Sequence, residues 1–501
     1  MLPIAKAKKK KSKNSNSFKE FGTLIPNSFL LNKRREIMNI AKEKNNNFSK
    51  FVLTLRNFYN SRIYPLILAL SILISHSFSL EELGISVVLG TVLLGLLVCD
   101  DLKFFIFPLT CSLFMFSEKS VATGKYYETP YLIAIACGSL VLISFFIAHF
   151  IIYRKNVTVK GFAKSRLLMG FILLSASALL NGCLNFKEYQ LGNLLYALAF
   201  IFSLLGIFFL FSINLNNNTD LKSYLMFVLY VISVVVTLEL FIAFTNQIQI
   251  VNGQIVKESV KIGWGMWNNI GGILTLLLPI HFYYATTIKR YGAVFYMTGL
   301  ISYGAIALTL SRSSLLTSSF ILLACVVIAC FLGNNKLLNR IFTGALFTLG
   351  IIAFILLWGK ISSILGDYLS RGLDDNGRFE MYLHGLKNFL SHPIFGGGFN
   401  SSYATEHQFI IFLPYRYHNT IIQMMATCGS VGLLAYLFHR YQTVKLFIKE
   451  RCLPNLFLAL SISALLITSL LDNHFFNIYP AFIYTIILVT VEKYSHKNNG
   501  C

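Results

Sequence analysis

Apolar stretches long enough to cross a lipid bilayer recur from Tyr64 almost to the C-terminus of this chain. Hydrophobic residues make up 55% of its 501 positions and charged residues only 13%, where an ordinary soluble domain has roughly 25%. Too few polar residues lie between the stretches for a separate soluble domain of ordinary size. The pattern therefore predicts an all-α polytopic membrane protein, with one membrane domain over residues 64–498.

Polar breaks between the apolar runs predict fourteen transmembrane helices. The candidate spans are 64–80, 83–98, 104–116, 131–153, 167–184, 194–213, 224–244, 270–286, 291–310, 313–332, 341–358, 420–438, 456–471 and 475–491. The third span is short and contains Pro108, and the first three crowd together, so twelve or thirteen spans also fit the pattern.

Basic residues in the short loops predict the orientation, because cytoplasmic loops are enriched in Lys and Arg. From the fourth span onward, basic loops alternate with balanced or acidic ones. The basic loops contain Arg154, Lys155, Lys160, Lys164, Arg166, Lys222, Lys289, Arg290, Lys336, Arg340, Arg440, Lys445, Lys449, Arg451, Lys493 and Lys497. Both termini are then cytoplasmic, and Arg312, residues 264–269, 359–419 and 472–474 share the external surface.

The first 63 residues form a basic segment with fifteen Lys or Arg residues against three acids. Its richness in Asn, Ser and Lys predicts a largely disordered cytoplasmic tail that lies along anionic lipids. Nucleic acid is not an expected partner, because no aromatic platform or binding motif interleaves the lysines. The segment is also unlike a cleaved signal peptide, and Met38 is an alternative start of translation.

The sequence predicts no cofactor and no metal site. The nine cysteines are scattered, mostly inside the predicted spans, without the spacing of metal ligands. Asp374 and Asp375 are adjacent carboxylates, and without a third ligand at useful spacing they are more typical of a turn before Asn376-Gly377.

About sixty polar residues separate the apolar run that ends at Trp358 from the one that begins at Thr420. This external loop, 359–419, contains Arg371, Arg378, Arg416 and His418. The external surface has no ATP, so an enzyme there needs a substrate that arrives activated, and a lipid-linked diphosphate sugar meets that condition. Guanidinium groups suit its leaving group, because they bind phosphate oxygens through two parallel hydrogen bonds.

Two arginines are candidates for that role, each with a simpler alternative. Arg312 lies at the outer junction of two spans, where it either binds substrate or reaches lipid headgroups. Arg378 opens a predicted amphipathic helix on the outer face, where an arginine is otherwise a solvated charge. The glycine run 396–398 follows that helix and predicts a turn where backbone approaches a ligand closely.

His418 and Asn419 lie where the loop re-enters the membrane. A histidine has a pKa of about 6.5, and neighbouring arginine charges would lower it, leaving a neutral imidazole that can take a proton from a sugar hydroxyl. The alternative role is capping of the helix that follows. Glu239, an acid inside a span, is a candidate partner of an arginine, and Trp267 is suited to headgroup anchoring or to stacking on a sugar.

Five features in sequence resemble the O-antigen ligase and polymerase superfamily over residues about 268–440. They are Ser311-Arg312-Ser313, Arg378 heading its helix, His392-Pro393-Ile394-Phe395-Gly396-Gly397-Gly398, His418-Asn419, and Cys428-Gly429-Ser430-Val431-Gly432. The chain departs from some relatives in having Met381-Tyr382 where a tryptophan is frequent. The basic N-terminal segment of 63 residues is a second departure.

The resemblance implies a GT-C-like membrane glycosyltransferase in a bacterial plasma membrane. Such an enzyme transfers glycan from undecaprenyl diphosphate to an acceptor hydroxyl, by a metal-independent, inverting reaction. The family's arginines correspond to Arg312 and Arg378, and its histidine to His418. Arg371, Arg416, Asn419, Glu239 and Trp267 are further candidates for binding substrate. Other polysaccharide assembly proteins are conceivable partners.

The candidate functions differ in the acceptor. A polymerase of surface polysaccharide extends the chain on the next lipid-linked unit, whereas a ligase moves finished glycan onto a lipid core, wall component or protein. A flippase for lipid-linked oligosaccharide is the more distant alternative, but it needs charges along a central cavity, and these spans have few.

Overall fold

A computed structural model gives the fold of the chain and describes residues 49–115, 128–154, 162–185, 189, 191–215, 221–251, 254–256, 259–263, 265–356, 358–359, 362, 377–399 and 417–495. The chain divides into two compact units, residues 1–57 and 58–501. In the first unit, the described residues 49–57 are helical.

Helices dominate the described residues, which confirms the predicted all-α class. In chain order they are α1 (Ser49–Asn60), α2 (Ile63–Ser77), α3 (Glu81–Val98), α4 (Ile106–Cys111), α5 (Thr129–Ile152), α6 (Leu168–Leu179), α7 (Leu191–Asn214), α8 (Leu221–Gln247), α9 (Trp267–Thr287), α10 (Gly292–Leu308), α11 (Arg312–Phe331), α12 (Lys336–Leu356), α13 (Arg378–Ser391), α14 (Thr420–Lys449), α15 (Leu453–Leu471) and α16 (Ile478–Ser495). Between α8 and α9, two antiparallel pairs of two-residue strands form: β1 (Ile250–Val251) with β2 (Gln254–Ile255), and β3 (Lys261–Ile262) with β4 (Gly265–Met266).

Nine helices of the described ranges are long and apolar enough to cross a bilayer, or ten if α1 and α2 count as one bent span. The shorter apolar helices α6 and α10 have 12 and 17 residues. Helices occupy thirteen of the fourteen predicted positions. The chain is therefore a multi-pass membrane protein, and in the part that the structure describes nine or ten helices have the length and composition of a complete span, against the 12–14 predicted for the chain.

The third predicted span, 104–116, is wrong as a continuous helix. It consists of a 3-10 turn (Lys103–Phe105), the six-residue α4 and a second 3-10 turn (Ser112–Met115). Phe104 packs on Gly95 and Met115 packs beside Gly84, so this broken segment runs antiparallel to α3. Pro108 lacks an amide hydrogen, which favours short helical pieces over one long helix.

Helix α9 is the centre of the membrane domain. It packs against α8, α10, α11 and α15, and 89% of its most apolar window is buried. A helix that is apolar on all faces is expected in such a position. Helices α5 and α12 instead face outward, with 0% and 6% of the corresponding windows buried, so they lie at the lipid-facing periphery.

Two predicted boundaries move in the structure. The assignment of residues 1–63 to a disordered tail is wrong for residues 49–60, which form α1, and residues 1–48 lie outside the described ranges. The span predicted to end at residue 438 continues to Lys449. Arg440 is therefore inside a helix rather than in a loop, with its guanidinium 4.2 Å from the Phe475 ring centre and hydrogen-bonded to Tyr484.

Candidate functional site

Distant stretches of the chain converge at one end of the helical bundle. The residues that open α14 contact the turn between α15 and α16, because His418 bonds to Asp472 and Asn419 bonds to Leu470. Arg378, at the start of α13, reaches the same turn through Leu471. The start of α9 joins it as well, since Asn477 donates to Asn269. This convergence agrees with the predicted sharing of one surface.

His418 and Asp472 form a hydrogen-bonded pair. The Nδ1 atom of His418 lies 2.9 Å from Oδ1 of Asp472, and 30% of the histidine side chain is exposed against 8% of the aspartate. A carboxylate can only accept, so in the neutral imidazole Nδ1 carries the proton and Nε2 keeps its lone pair. The pair therefore orients a partly exposed imidazole whose Nε2 can accept a proton.

The Asp472 carboxylate is stabilised in its charged form. Burial alone would raise its pKa, but the hydrogen bond from His418, the charges of His474 and His418, and the backbone amide of Asn473 together hold the pKa well below its usual range. The amide of Asn473 lies 2.8 Å from Oδ1. Asp472 is consequently an acceptor for His418 at any pH near neutrality.

Asp472 also stabilises the fold in a pH-dependent manner. A folded-state pKa below the unfolded value of about 3.9 means that this stability is fully present above about pH 4 and is lost as the pH falls further. We expect the thermal unfolding temperature of the wild type to fall between pH 5 and pH 3 more than that of Asp472→Asn, measured in the same detergent. Parallel curves for the two proteins would contradict a charged Asp472.

Arg378 and Asn419 bind the last carbonyl groups of α15. Arg378 Nη1 donates to the Leu471 carbonyl at 2.8 Å, and Asn419 Nδ2 donates to the Leu470 carbonyl at 2.9 Å. Positive charge is favourable at a helix C-terminus, where these carbonyls have no partner within the helix. One of five guanidinium donors is thereby engaged, and Arg378 is held beside Asp472.

Asn419 is the N-cap of α14. Its Oδ1 accepts from the amides of Ile421 and Ile422 at 2.9 and 3.1 Å, a role for which asparagine is among the preferred residues. Both ends of its amide group are engaged within the protein, so the capping role that was the alternative for His418 belongs to Asn419. Its contact with substrate stays a prediction.

Gln423 connects the segment that contains His418 to the turn that contains Asp472. Its Oε1 accepts from the backbone amide of Tyr417 at 2.9 Å and from Nδ2 of Asn473 at 2.6 Å. The residues that precede α14 are thus fixed to the turn that follows α15. His418 itself has a left-handed backbone, with φ of 51°, a conformation that costs free energy in a residue other than glycine and is found at functional sites.

Arg312 is the first residue of α11 and is exposed. The preceding Ser311 caps the helix, because its hydroxyl accepts from the amide of Ser314. Leu310, just before this cap, also has a positive φ, of 54°. Arg312 therefore projects from a fixed turn.

Helix α9 lies between the Arg312 turn and the Asp472 turn, and two adjacent glycines permit this. A Cβ on Gly271 would lie 2.7 Å from the Ser314 hydroxyl, and one on Gly272 would lie 2.6 Å from the His474 ring. Only one helix separates the two turns, and a helix with its side chains is about 10 Å wide. The start of α11 and the His418–Asp472 pair consequently border one region.

The glycine run 396–398 approaches another backbone rather than a ligand. Helix α14 is interrupted at Gly429, which has φ of 69° and ψ of −160°. The amides of Gly397 and Gly398 donate to the carbonyls of Ala426 and Thr427 at 2.8 and 3.2 Å.

On the other side of the interruption, the amides of Ser430 and Val431 donate to Pro393 and Ile394 at 2.8 and 3.2 Å. Residues 393–398 thus satisfy backbone groups that the interruption leaves without helical partners, as unwound backbone within a membrane requires. The predicted ligand turn is corrected to a structural one.

The remaining predicted site residues differ in whether the structure describes them and in where it places them. Arg371 and Arg416 lie outside the described residues. Trp267 begins α9 at the site and is partly exposed. Glu239 is fully buried, and within the described ranges neither of its carboxyl oxygens has a hydrogen-bond partner, so its pairing with an arginine stays a prediction.

Possible metal ligands do not cluster in the part of the chain that the structure describes, where no group of three or more His, Cys, Asp or Glu residues occurs. Asp374 and Asp375 fall outside that part. The expectation of chemistry without a metal therefore stays a prediction.

Sequence reasoning missed Asp472 and Gln423 as positioning residues. Asp472 was expected only on the same surface, and Gln423 was not singled out. A polar triplet at 472–474 between two apolar runs was the available signal for Asp472. Gln423 gave no comparable signal, because a single glutamine in the first turn of a span is unremarkable.

Comparison with protein families supports a relationship for the middle of the chain. Residues 297–437 match the model of the O-antigen ligase family. This stretch begins within α10, later than the expected position 268, and contains Arg312, Arg378 and His418. Asp472 lies beyond its end. No curated protein matches the chain.

Proposed function

We propose that this chain is a membrane glycosyltransferase that polymerises a surface polysaccharide, because residues 297–437 match the model of the O-antigen ligase family. Its donor is an oligosaccharide linked to undecaprenyl diphosphate, and its acceptor is a hydroxyl of the next lipid-linked unit. The hydrogen-bonded pair of His418 and Asp472, beside Arg378, is the observation that supports transfer most directly.

In the proposed reaction, Nε2 of His418 takes the proton of the acceptor hydroxyl as its oxygen attacks the anomeric carbon. The bond from that carbon to the diphosphate oxygen breaks, and its electron pair leaves with the lipid diphosphate. Asp472 stabilises the imidazolium that forms. A single displacement of this kind inverts the anomeric configuration, since the acceptor enters opposite the leaving group.

The arginines supply the positive charge for the leaving group. Arg312 is exposed at the head of α11, and Arg378 is held beside Asp472 through the Leu471 carbonyl. Guanidinium groups held in position before the reaction stabilise charge as it develops on the phosphate oxygens. On this basis we propose that turnover requires neither ATP nor a metal ion.

Loss of either arginine is expected to reduce transfer by about a hundred- to a thousand-fold, because each removes a donor to the developing charge. The variants are Arg312→Ala and Arg378→Ala, and the measurement is release of lipid diphosphate from a purified lipid-linked glycan in detergent. Arg340→Ala is the control, since Arg340 is an arginine near the start of α12 that bonds to the Cys330 carbonyl.

Normal turnover in both site variants would contradict the proposal, and so would complete loss of wild-type turnover on adding a chelator.

A ligase is the second candidate, because the matching family is described as O-antigen ligase. Donor and leaving group are the same in both reactions, so only the acceptor differs. In a deletion strain, loss of long surface chains with single repeat units retained supports the polymerase. Long chains that persist on the lipid carrier but no longer reach the final acceptor support the ligase.

The proposed site faces the outside of a bacterial plasma membrane, with both termini in the cytoplasm. Cysteines introduced at exposed Glu380, near the site, and at Lys445, toward the far end of α14, should react from opposite sides. In intact cells, a membrane-impermeant maleimide is expected to label position 380 and not 445, read as a mass shift. Labelling of 445 alone would place the site inside and exclude the proposed donor side.

A further inference from the structure

Glu239 lies in the buried part of α8. Its side chain is 0% exposed, and in the described part of the chain neither Oε1 nor Oε2 has a hydrogen-bond partner. Nearly all buried polar groups in proteins are hydrogen-bonded. An ionised carboxylate in such surroundings is strongly unfavourable unless it is paired, so the group must be neutralised by a bound species.

The broken segment of residues 103–115 lies beside this carboxyl. Helix α8 packs against α4, and Glu239 lies within electrostatic range of the Cys111 thiol, at the end of α4. The segment and α8 run in the same direction, since Lys103 stacks on Tyr224 near the start of α8 and Cys111 lies near Glu239. A change between α and 3-10 geometry inside a helical segment often marks a functional hinge or strain.

Among the described residues, no charged side chain bonds to Glu239. The elements packed against α8 are α2, α4, α9, α10, α16 and β3. Their described titratable side chains are Tyr64, His76, Cys111, His281, Tyr283, Tyr284, Tyr296, Tyr303, Tyr479, Tyr484, Glu492 and Lys493, and Arg62 and Lys103 also contact α8 near its start. Within the described ranges none of them bonds to either oxygen of Glu239. His281, the histidine of α9, bonds instead to Ser233 and Thr298.

We propose that Glu239 and the broken segment form a proton-binding site inside the membrane. The bound species is a proton on the carboxyl, because a proton neutralises the charge without the several oxygen ligands that a metal cation requires. Loss of the proton would leave a buried, unpaired charge, which is strongly unfavourable until water or a counter-charge reaches it. This site is independent of the proposed transfer reaction.

Infrared difference spectroscopy tests the site on the full purified chain. The spectrum of the wild type minus that of Glu239→Gln, at neutral pH in nanodiscs, should contain the carbonyl stretch of a protonated carboxylic acid, with the amplitude of one group per chain. The band should shift in heavy water and be unchanged by sodium or potassium chloride. Asp472→Asn is the control, and its difference spectrum should show carboxylate bands only.

Carboxylate bands in the Glu239 difference spectrum would overturn the proposal, because the group would then be ionised. Disappearance of the acid band on adding salt would also overturn it, since the occupant would be a metal cation. If Glu239→Gln fails to fold, the wild type is treated with dicyclohexylcarbodiimide, which adds to protonated carboxyls in apolar surroundings. Peptide mass spectrometry should then locate the adduct at Glu239, and an unmodified Glu239 would count against the site.

Discussion

Replacing Asp472 with asparagine lowers turnover by about a hundred- to ten-thousand-fold, the range that general acid–base catalysis contributes. The asparagine side chain can present its NH₂ group to Nδ1, which then accepts rather than donates. The proton of the neutral imidazole moves to Nε2, where the lone pair is needed. The base is thereby present in the wrong tautomer, although the fold is little changed. Steady-state release of lipid diphosphate measures the effect.

Two further variants make the Asp472 result specific. His418→Ala should lose as much activity as Asp472→Asn, and the double variant should lose no more than His418→Ala, because the two residues act as one unit. Glu380→Gln, which removes an exposed acid on α13 near the site, should retain full turnover. Multiplicative losses in the double variant would show that Asp472 does not act through His418.

Replacing Gly429 with alanine prevents stable folding of the membrane domain. A Cβ at this position would lie 2.3 Å from the Ile394 carbonyl oxygen, and the backbone angles are ones that side-chain-bearing residues rarely adopt. Strain of this kind costs about 1–3 kcal/mol, and each lost backbone hydrogen bond of residues 393–398 costs roughly 1 kcal/mol more. The sum is a large part of a typical stability of about 5–15 kcal/mol.

The measurement for Gly429→Ala is the yield of monodisperse protein after detergent extraction, together with its thermal unfolding temperature. Gly344→Ala is the matched control, because Gly344 lies in α12, where an added Cβ meets nothing within 4 Å. In a regular helix that change is neutral or stabilising, by up to about 1 kcal/mol. Equal behaviour of the two variants would show that residues 393–398 do not support the interruption of α14.

Hydropathy predicted most of the helices, because a bilayer requires about twenty apolar residues for each crossing. It failed for residues 104–116, where high apolarity hides a chain broken around Pro108. It also ended α14 too early, because Arg440 is an uncommon charge inside a membrane helix. There the aromatic rings of Tyr436, Phe475 and Tyr484 surround the guanidinium. Two of these rings are distant in sequence, so the residues around Arg440 do not predict the contact.

The sequence predicted which individual residues belong to the candidate site, but not which of them bond to each other. Local patterns pointed to Arg312, Arg378 and His418, and the structure connects the last two through one turn. The partner of His418 lies 54 residues further along the chain, and only the packing of α14 on α15 brings it near. Glycines 396–398 indicated a close approach, yet their sequence does not specify which backbone they approach.

The separation of His418 and Asp472 along the chain has a consequence for biosynthesis. A ribosome inserts this protein from its N-terminus, so the arginines and the histidine enter the membrane before the helix pair that presents Asp472 exists. Until the hairpin of α15 and α16 is inserted, the His418 imidazole lacks the Asp472 carboxylate that orients it. Under the proposed mechanism, activity is thus postponed until the hairpin of α15 and α16 is in place.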